Sequence, residues 1–571
     1  MPKAPNLTIP ILFILIIAAP LCAEGVLDLW NVDSIVDPSW MDVETLWVAD
    51  TSILNPLGID LVDLRVGEIR FSSFGGDSGT LRIQAFFAYP TFLSNMPGFV
   101  INHGIIMDGE LEMAETFSAG LACFALAISA PGHGTSTGGS AYHLPNLVRS
   151  YPDPRNNHFY QFAYATMRGI TYMEHLPMID TDWLCALGFS GGADAAFIAN
   201  GVDSRMSFCV PIIPQTDFEC GAADSGWIID IFSESGYTLG DSNTTFLQRY
   251  IAPINYVEFL HGWTVLIVGS QDEFEPLDCV NSIYGALDGT NARLEIVANF
   301  DHHCYYTPYG LTVDYESFDN TDTFYGRILG TTNSILTLLR TGIPVPQIPT
   351  LSLDVEGDSI VAVSNVPASF WVTDDVVLWF STDSAWTFQS VPMIFDIGPP
   401  SLYKVSFPNV PEYALDNLIC FVEAKSAPFL WLSSRPYVPE DMSFRIRPFP
   451  WLFFGLGIGE SSIRPRDMTI TAYPNPFNSA ISISVKTLHA TSLRIEIFDI
   501  NGRIVYDNSV GDGSPVSSAN GRGDLAPTEI VWRPAPTLPS GVYFVQARFD
   551  YFDQLTDRGD AEITHRIVYL K

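Results

Sequence analysis

The chain has 571 residues, 64 acidic against 28 basic, for a formal net charge of −36, and 47% of its residues are hydrophobic. That length is too great for one core and fits about three domains. The acidic excess repels nucleic-acid phosphates and anionic lipid surfaces, so no nucleic-acid partner is expected.

The first element is a targeting segment. Met1-Pro2-Lys3 is positive, Ile9 to Ala19 is strongly apolar and Leu21-Cys22-Ala23 forms a small-residue cleavage site, so residues 1–23 read as a secretory signal peptide. The apolar run is shorter than the ~20 residues a membrane-spanning helix needs, and no later segment is apolar for long enough, so no stable membrane span is expected.

Residues 24–344 read as an α/β domain with a doubly wound, mostly parallel sheet. Pro97 to Asn102 is a short strand ending in a His103-Gly104 turn, and Cys123 to Ile128 a second strand running into Ser129-Ala130-Pro131-Gly132-His133-Gly134. After the helical run Tyr160 to Asp180, the apolar residues Trp183 to Leu187 lead into Gly188-Phe189-Ser190-Gly191-Gly192 and the small-residue stretch Ala193 to Phe197. This is the pattern strand, sharp turn, helix. In a G-x-S-x-G elbow the serine sits on a strained turn with its hydroxyl above the sheet, and glycines flank it because a side chain there would strike the adjoining strand or helix.

A nucleophilic serine needs an imidazole base and an acid that orients it. The buried-strand pattern Thr264 to Gly269 breaks into Ser270-Gln271-Asp272-Glu273-Phe274-Glu275-Pro276, which puts Asp272 where an orienting acid belongs. Glu273 and Glu275 compete with it but read as solvated loop carboxylates. Arg293 to Val297 is one more strand, ending in Asn299-Phe300-Asp301-His302-His303; this ending resembles the Gly-Ala-Asp-His end of related hydrolases, with Asn299 in the glycine place, which implies His302 as the base and leaves His303 as the alternative. The oxyanion donors would be the backbone N–H of Gly191 and that of Ile105 or Ile106, with Ile105 preferred. The long stretch Pro214 to Gly262 is expected to roof the pocket, with Trp227, Phe232 and Tyr237 either lining it or packing on the sheet.

Residues 345–447 alternate apolar and polar between Pro, Gly, Asp and Asn clusters and read as an immunoglobulin-like or fibronectin-like β-sandwich, a spacer or a support for a lid. Trp371 and Trp386 are expected to pack in its core, with contact to carbohydrate the alternative. Residues 448–466, rich in Pro and Gly, form a linker, and 467–571 read as a small β-sandwich. Of eight cysteines, removal of the signal leaves seven, so at least one is unpaired. Cys123, Cys185 and Cys209 fall in core strands as buried thiols, and a Cys279 to Cys304 bridge is conceivable. No loop demands calcium, so neither a metal nor a cofactor is expected.

The succession of the His103-Gly104 turn, the Pro131-Gly132-His133-Gly134 turn, the Ser190 elbow, the Asp272 loop and the Asp301-His302-His303 end resembles the α/β-hydrolase superfamily over about residues 65 to 342. Leu176-Pro177-Met178-Ile179-Asp180 before the elbow is similar to the acetyl xylan esterase, dienelactone hydrolase and prolyl oligopeptidase branch. The resemblance implies a serine hydrolase and a structural role for His133. Its expected substrate is a small-molecule or carbohydrate ester; a prolyl-oligopeptidase-type peptidase and a non-catalytic surface binding protein are the alternatives. Ala472 to Asn478, Leu493 to Val505, Leu538 to Val545 and Arg566 to Lys571 resemble the type IX secretion C-terminal sorting domain, which implies the secretion machinery as partner and release or attachment at the cell surface.

Overall fold

In a computed structural model the described residues are 25–447 and 449, except 57–60, 288, 307–323, 368–371, 397–400, 411–413, 427–428 and 441, together with most strand residues between 469 and 569. The signal segment, Trp371 and nearly all of the linker lie outside them.

Nine strands make the central sheet: β1 (Glu44–Leu54), β2 (Leu61–Phe74), β3 (Thr80–Pro90), β4 (Met96–Asn102), β5 (Phe124–Ile128), β6 (Ile179–Phe189), β7 (Met206–Ile212), β8 (Trp263–Gln271) and β9 (Ala292–Asp301). Their order is β1-β2-β3-β5-β4-β6-β7-β8-β9. Pairings from β1 through β3 to β5 are antiparallel, and all those from β5 to β9 are parallel. β4, β5 and β9 are buried along their whole length, which explains their continuous apolar sequences: helices cover both faces of a parallel sheet. The helices His158–Glu174 and Gly191–Val202 pack on one face, and Leu111–Leu121 and Phe324–Arg340 on the other. This is the α/β-hydrolase fold with an antiparallel extension at one edge. Loops following β6, β8 and β9 gather at the carboxyl ends of the strands, where open α/β sheets place their sites.

The middle region forms two four-stranded antiparallel sheets around Ala362, Leu378, Cys420 and Val422. It is docked on the β9 edge. The Ser433 hydroxyl accepts from the Ile296 N–H at 2.8 Å, and Arg327 pairs with Glu295 of β9 at 2.6 Å and with Glu423 of the sandwich. The α/β domain and the sandwich together make one compact unit reaching Phe454; a second unit begins at Gly455. Within the second unit a three-stranded and a four-stranded antiparallel sheet bury Ile483, Ile495, Ile497 and Val545, and Trp532 meets Tyr543 edge-on at 5.5 Å. Among the described residues no helix is long and apolar enough to cross a membrane.

The cysteine expectation needs correcting. Cys279 is joined to Cys220, not to Cys304, because the helix Leu277–Ala286 faces the short helix Phe218–Ala223 with the two Cα atoms 5.8 Å apart. Cys304 remains a buried thiol, as do Cys123, Cys185, Cys209 and Cys420.

Candidate active site

Ser190 occupies the turn between β6 and the helix Gly191–Val202 with φ 51° and ψ −126°, a conformation that costs a side-chain-bearing residue about 1–3 kcal/mol and so persists only where its surroundings impose it. The surroundings here are backbone. A Cβ on Gly188 would lie 2.1 Å from the Gly192 carbonyl oxygen, and one on Gly192 would lie 2.3 Å from that of His103. The Ser190 N–H donates to the Ile212 carbonyl on β7 at 2.9 Å, which ties the turn to the sheet.

The Ser190 Oγ lies 2.8 Å from His302 Nε2, and His302 Nδ1 lies 2.8 Å from Asp272 Oδ1. The structure thus brings together, at the ends of β6, β8 and β9, the three side chains singled out from the sequence. Asp272 Oδ1 also accepts from the N–H groups of Phe274 and Glu275, which aims the carboxylate at the imidazole. Burial disfavours a charged imidazole, but the carboxylates of Asp272, Glu273 and Asp301 outweigh it and hold His302 above its ordinary value of 6.5. His303 points elsewhere, against Trp227 and stacked on Tyr305, and burial with the neighbouring His302 charge pushes it down to about 4.

Gly191 and Ile105 adjoin: a Cβ on Gly191 would come within 2.5 Å of Ile105 Cγ2, and Gly104 faces the Ser190 Cβ. Both line a small cavity that opens beside Ser190. Its walls are apolar, built from Phe159, Phe218, Ile228, Ile231, Leu247 and Phe274, with Asp194 and Gln215 as its polar members. Burial raises the Asp194 carboxyl well above the carboxylate range, and its Oδ1 accepts from the Gln215 N–H at 2.7 Å. The stretch 214–262 therefore contributes to the pocket, but through Phe218, Ile228, Ile231 and Leu247. Phe232 is buried in the core, Tyr237 packs against it, and Trp227 stands behind the imidazole, its ring 6.0 Å from that of His302.

One expectation fails here. Glu273 and Glu275 are not solvated: each is 1% exposed. Glu275 accepts from the Thr216 N–H and hydroxyl, and Glu273 accepts from the His302 N–H at 2.9 Å and pairs with Arg447. Burial and the nearby Asp301 push Glu273 up to about 7, against the pull of Arg447 and the His302 N–H. Trp386 lies beneath the guanidinium groups of Arg445 and Arg447, at 3.9 and 5.3 Å from its ring centre. Reading the sequence missed Arg447 and Asn299 as parts of the site. Asn299 has φ 60°, and its amide donates to the Phe388 carbonyl and accepts from the Phe388 N–H, joining the loop that carries His302 to the sandwich. Its place ahead of the histidines, where the resemblance expects glycine, was the available signal; Arg447 had none.

His103 and His133 are buried and hydrogen-bonded to neighbouring backbone, His103 to the Ala130 N–H and His133 to the Met107 carbonyl. They brace the loops that follow β4 and β5.

Residues 471–520 match the family described as Secretion system C-terminal sorting domain, which marks the chain for export to the cell surface or beyond. No curated protein matches the chain. Among solved structures, acetyl xylan esterase 1 from a Thermoanaerobacterium species is similar at 17% identity over 46% of this chain and 83% of that one, with a TM-score of 0.37. An acetyl xylan esterase from a Paenibacillus species is similar at 16% identity over 49% and 89%, with a TM-score of 0.40. The acylaminoacyl peptidase of Pyrococcus horikoshii is similar at 15% identity over 45% of each chain, with a TM-score of 0.33.

Proposed function

We propose that this protein is an exported serine hydrolase that cleaves carboxylic esters with a small acyl group, acetylated carbohydrate among them. The observation that carries the reading is the unbroken hydrogen-bond chain from Ser190 through His302 to Asp272, beside an apolar cavity headed by Gly191 and Ile105. In this reading Ser190 Oγ attacks the ester carbonyl while His302 Nε2 takes its proton. The backbone N–H groups of Gly191 and Ile105 hold the oxyanion, and His302 returns the proton to the departing alcohol. Water then attacks the acyl-enzyme by the same route, releasing the acid and restoring Ser190.

An ester is favoured over a peptide by the cavity lining, which is mostly apolar and carries no basic side chain to hold a peptide carboxylate.

The test is reaction of the mature protein and Ser190→Ala with a fluorophosphonate probe, alongside hydrolysis of p-nitrophenyl acetate, an acetylated oligosaccharide and a chromogenic prolyl peptide. Labelling that Ser190→Ala abolishes, with ester turnover only, is expected. Peptide turnover would move the assignment to a peptidase, and a folded protein inert to the probe would overturn the enzymatic reading in favour of surface binding.

A further inference from the structure

We infer that Arg447, on the segment leaving the sandwich, is a positioning residue for the imidazole side of the site and acts through Glu273, an inference that rests on the serine-hydrolase reading above.

The geometry is a closed circuit. Arg447 Nη1 donates to the Glu273 carboxylate and, at 3.3 Å, to the Gln271 carbonyl, while Nη2 donates to Gln271 Oε1 at 3.1 Å. It thereby grips the residues on both sides of Asp272. The other Glu273 oxygen accepts the backbone N–H of His302 at 2.9 Å, so one carboxylate joins the guanidinium to the residue that bears the base. Trp227 closes the circuit: its N–H donates to the Glu273 carbonyl at 2.9 Å and its indole N–H to the Arg447 carbonyl at 2.7 Å. Phe449, two residues on, meets Trp227 at 5.4 Å and Phe274 at 6.4 Å, and Phe274 in turn packs edge-on against the His302 ring at 4.5 Å.

Glu273 is 1% exposed and sits among Asp272 and Asp301. A buried carboxylate in such company is retained only with a countercharge, and Arg447 is the cation paired with it. Charge-assisted bonds of this kind are directional, and the guanidinium fork suits them where an ammonium point charge would hold only one partner. Arg447 is not among the residues that line the cavity, so its loss should disturb the alignment of His302 and leave substrate binding intact. The sandwich, on this account, completes the active site from behind.

The experiment measures kcat and KM for p-nitrophenyl acetate, and fluorophosphonate labelling, in the full-length chain and in Arg447→Met, Arg447→Lys, Glu273→Gln and the Arg447→Met/Glu273→Gln pair. A glutamine offers one acceptor oxygen and cannot serve both the His302 N–H and Arg447. A misalignment of this kind typically costs about 10- to 100-fold, so Arg447→Met and Glu273→Gln should each lower kcat by that order with KM held within about twofold. The double variant should fall no more than about twofold below the worse single, because the two residues act as one unit. Arg447→Lys should recover part of the loss. Wild-type kcat in either Arg447→Met or Glu273→Gln, or fully additive losses in the pair, would overturn the inference even if one variant fails to fold. A wild type inert to the probe would overturn the serine-hydrolase reading and this inference with it.

Discussion

The two sides of the candidate site are held by different means. The Ser190 turn is fixed by its own neighbours, since Gly188 and Gly192 permit a backbone approach that any side chain would block. The loops that carry Asp272 and His302 are held from far along the chain: Asn299 by Phe388, Gln271 by Trp386 and Arg447, and Glu273 by Arg447, across separations of 89 to 176 residues. A strained turn can be encoded in a pentapeptide because steric exclusion is local. A hydrogen-bond relay between two loops has no such local constraint, and here a neighbouring sandwich supplies the wall behind it.

The largest expected effect breaks the local side. Ser190→Ala should abolish probe labelling and lower kcat on the order of 10⁶-fold while leaving the melting temperature near the wild-type value, as read by steady-state hydrolysis and calorimetry. On the other side, Asp272→Asn removes the carboxylate that selects the imidazole tautomer and should cost about 10⁴-fold in kcat. A loss of less than tenfold would mean that another carboxylate orients His302.

The dependence on the sandwich is sharpened at Asn299. Asn299→Gly keeps the positive φ but leaves the buried N–H and carbonyl of Phe388 without the amide, a cost of about 1–3 kcal/mol. Asn299→Ala adds about 1–2 kcal/mol for a left-handed alanine. Melting temperatures should therefore fall in the order wild type, Gly, Ala, and kcat should fall in both variants. Equal melting temperatures for all three would mean that the sandwich does not support the loop that carries His302.

The smallest effect is in the pH profile. In the proposed mechanism His302 must be neutral to take the proton, and its proton is held more tightly than in a free imidazole, so kcat/KM should lose activity on the acid side with a midpoint above 6.5. Removing a negative charge beside the ring weakens that hold, so Glu273→Gln should move the midpoint to lower pH. A midpoint unchanged in that variant would place Glu273 outside the field felt by the imidazole.

Much of this was legible in the residues themselves. The apolar runs at Cys123 to Ile128, Trp183 to Leu187 and Thr264 to Gly269 are buried parallel strands, and strands covered on both faces must be apolar throughout. The Gly188 to Gly192 turn and the carboxylate and imidazole following two later strands were equally readable, as was the sorting motif. What could not be read was which loop charges are buried. Glu273 and Glu275 look solvated in a loop rich in acids, and only Thr216 and Arg447, brought from elsewhere, make their burial tolerable. The partner of Cys279 was likewise a matter of which helices face each other.

The sequence by itself determined the elements with short-range causes: an alternation or run that buries a strand, and glycines that let a serine turn sharply. Tertiary structure decided how the loops that carry Asp272 and His302 are braced, which cysteine pairs with which, and that the sandwich stands against the site and not apart from it. The physical reason is that burial and charge pairing depend on what the fold brings within a few ångströms, and residues 271 and 447 become neighbours only when the chain has closed on itself.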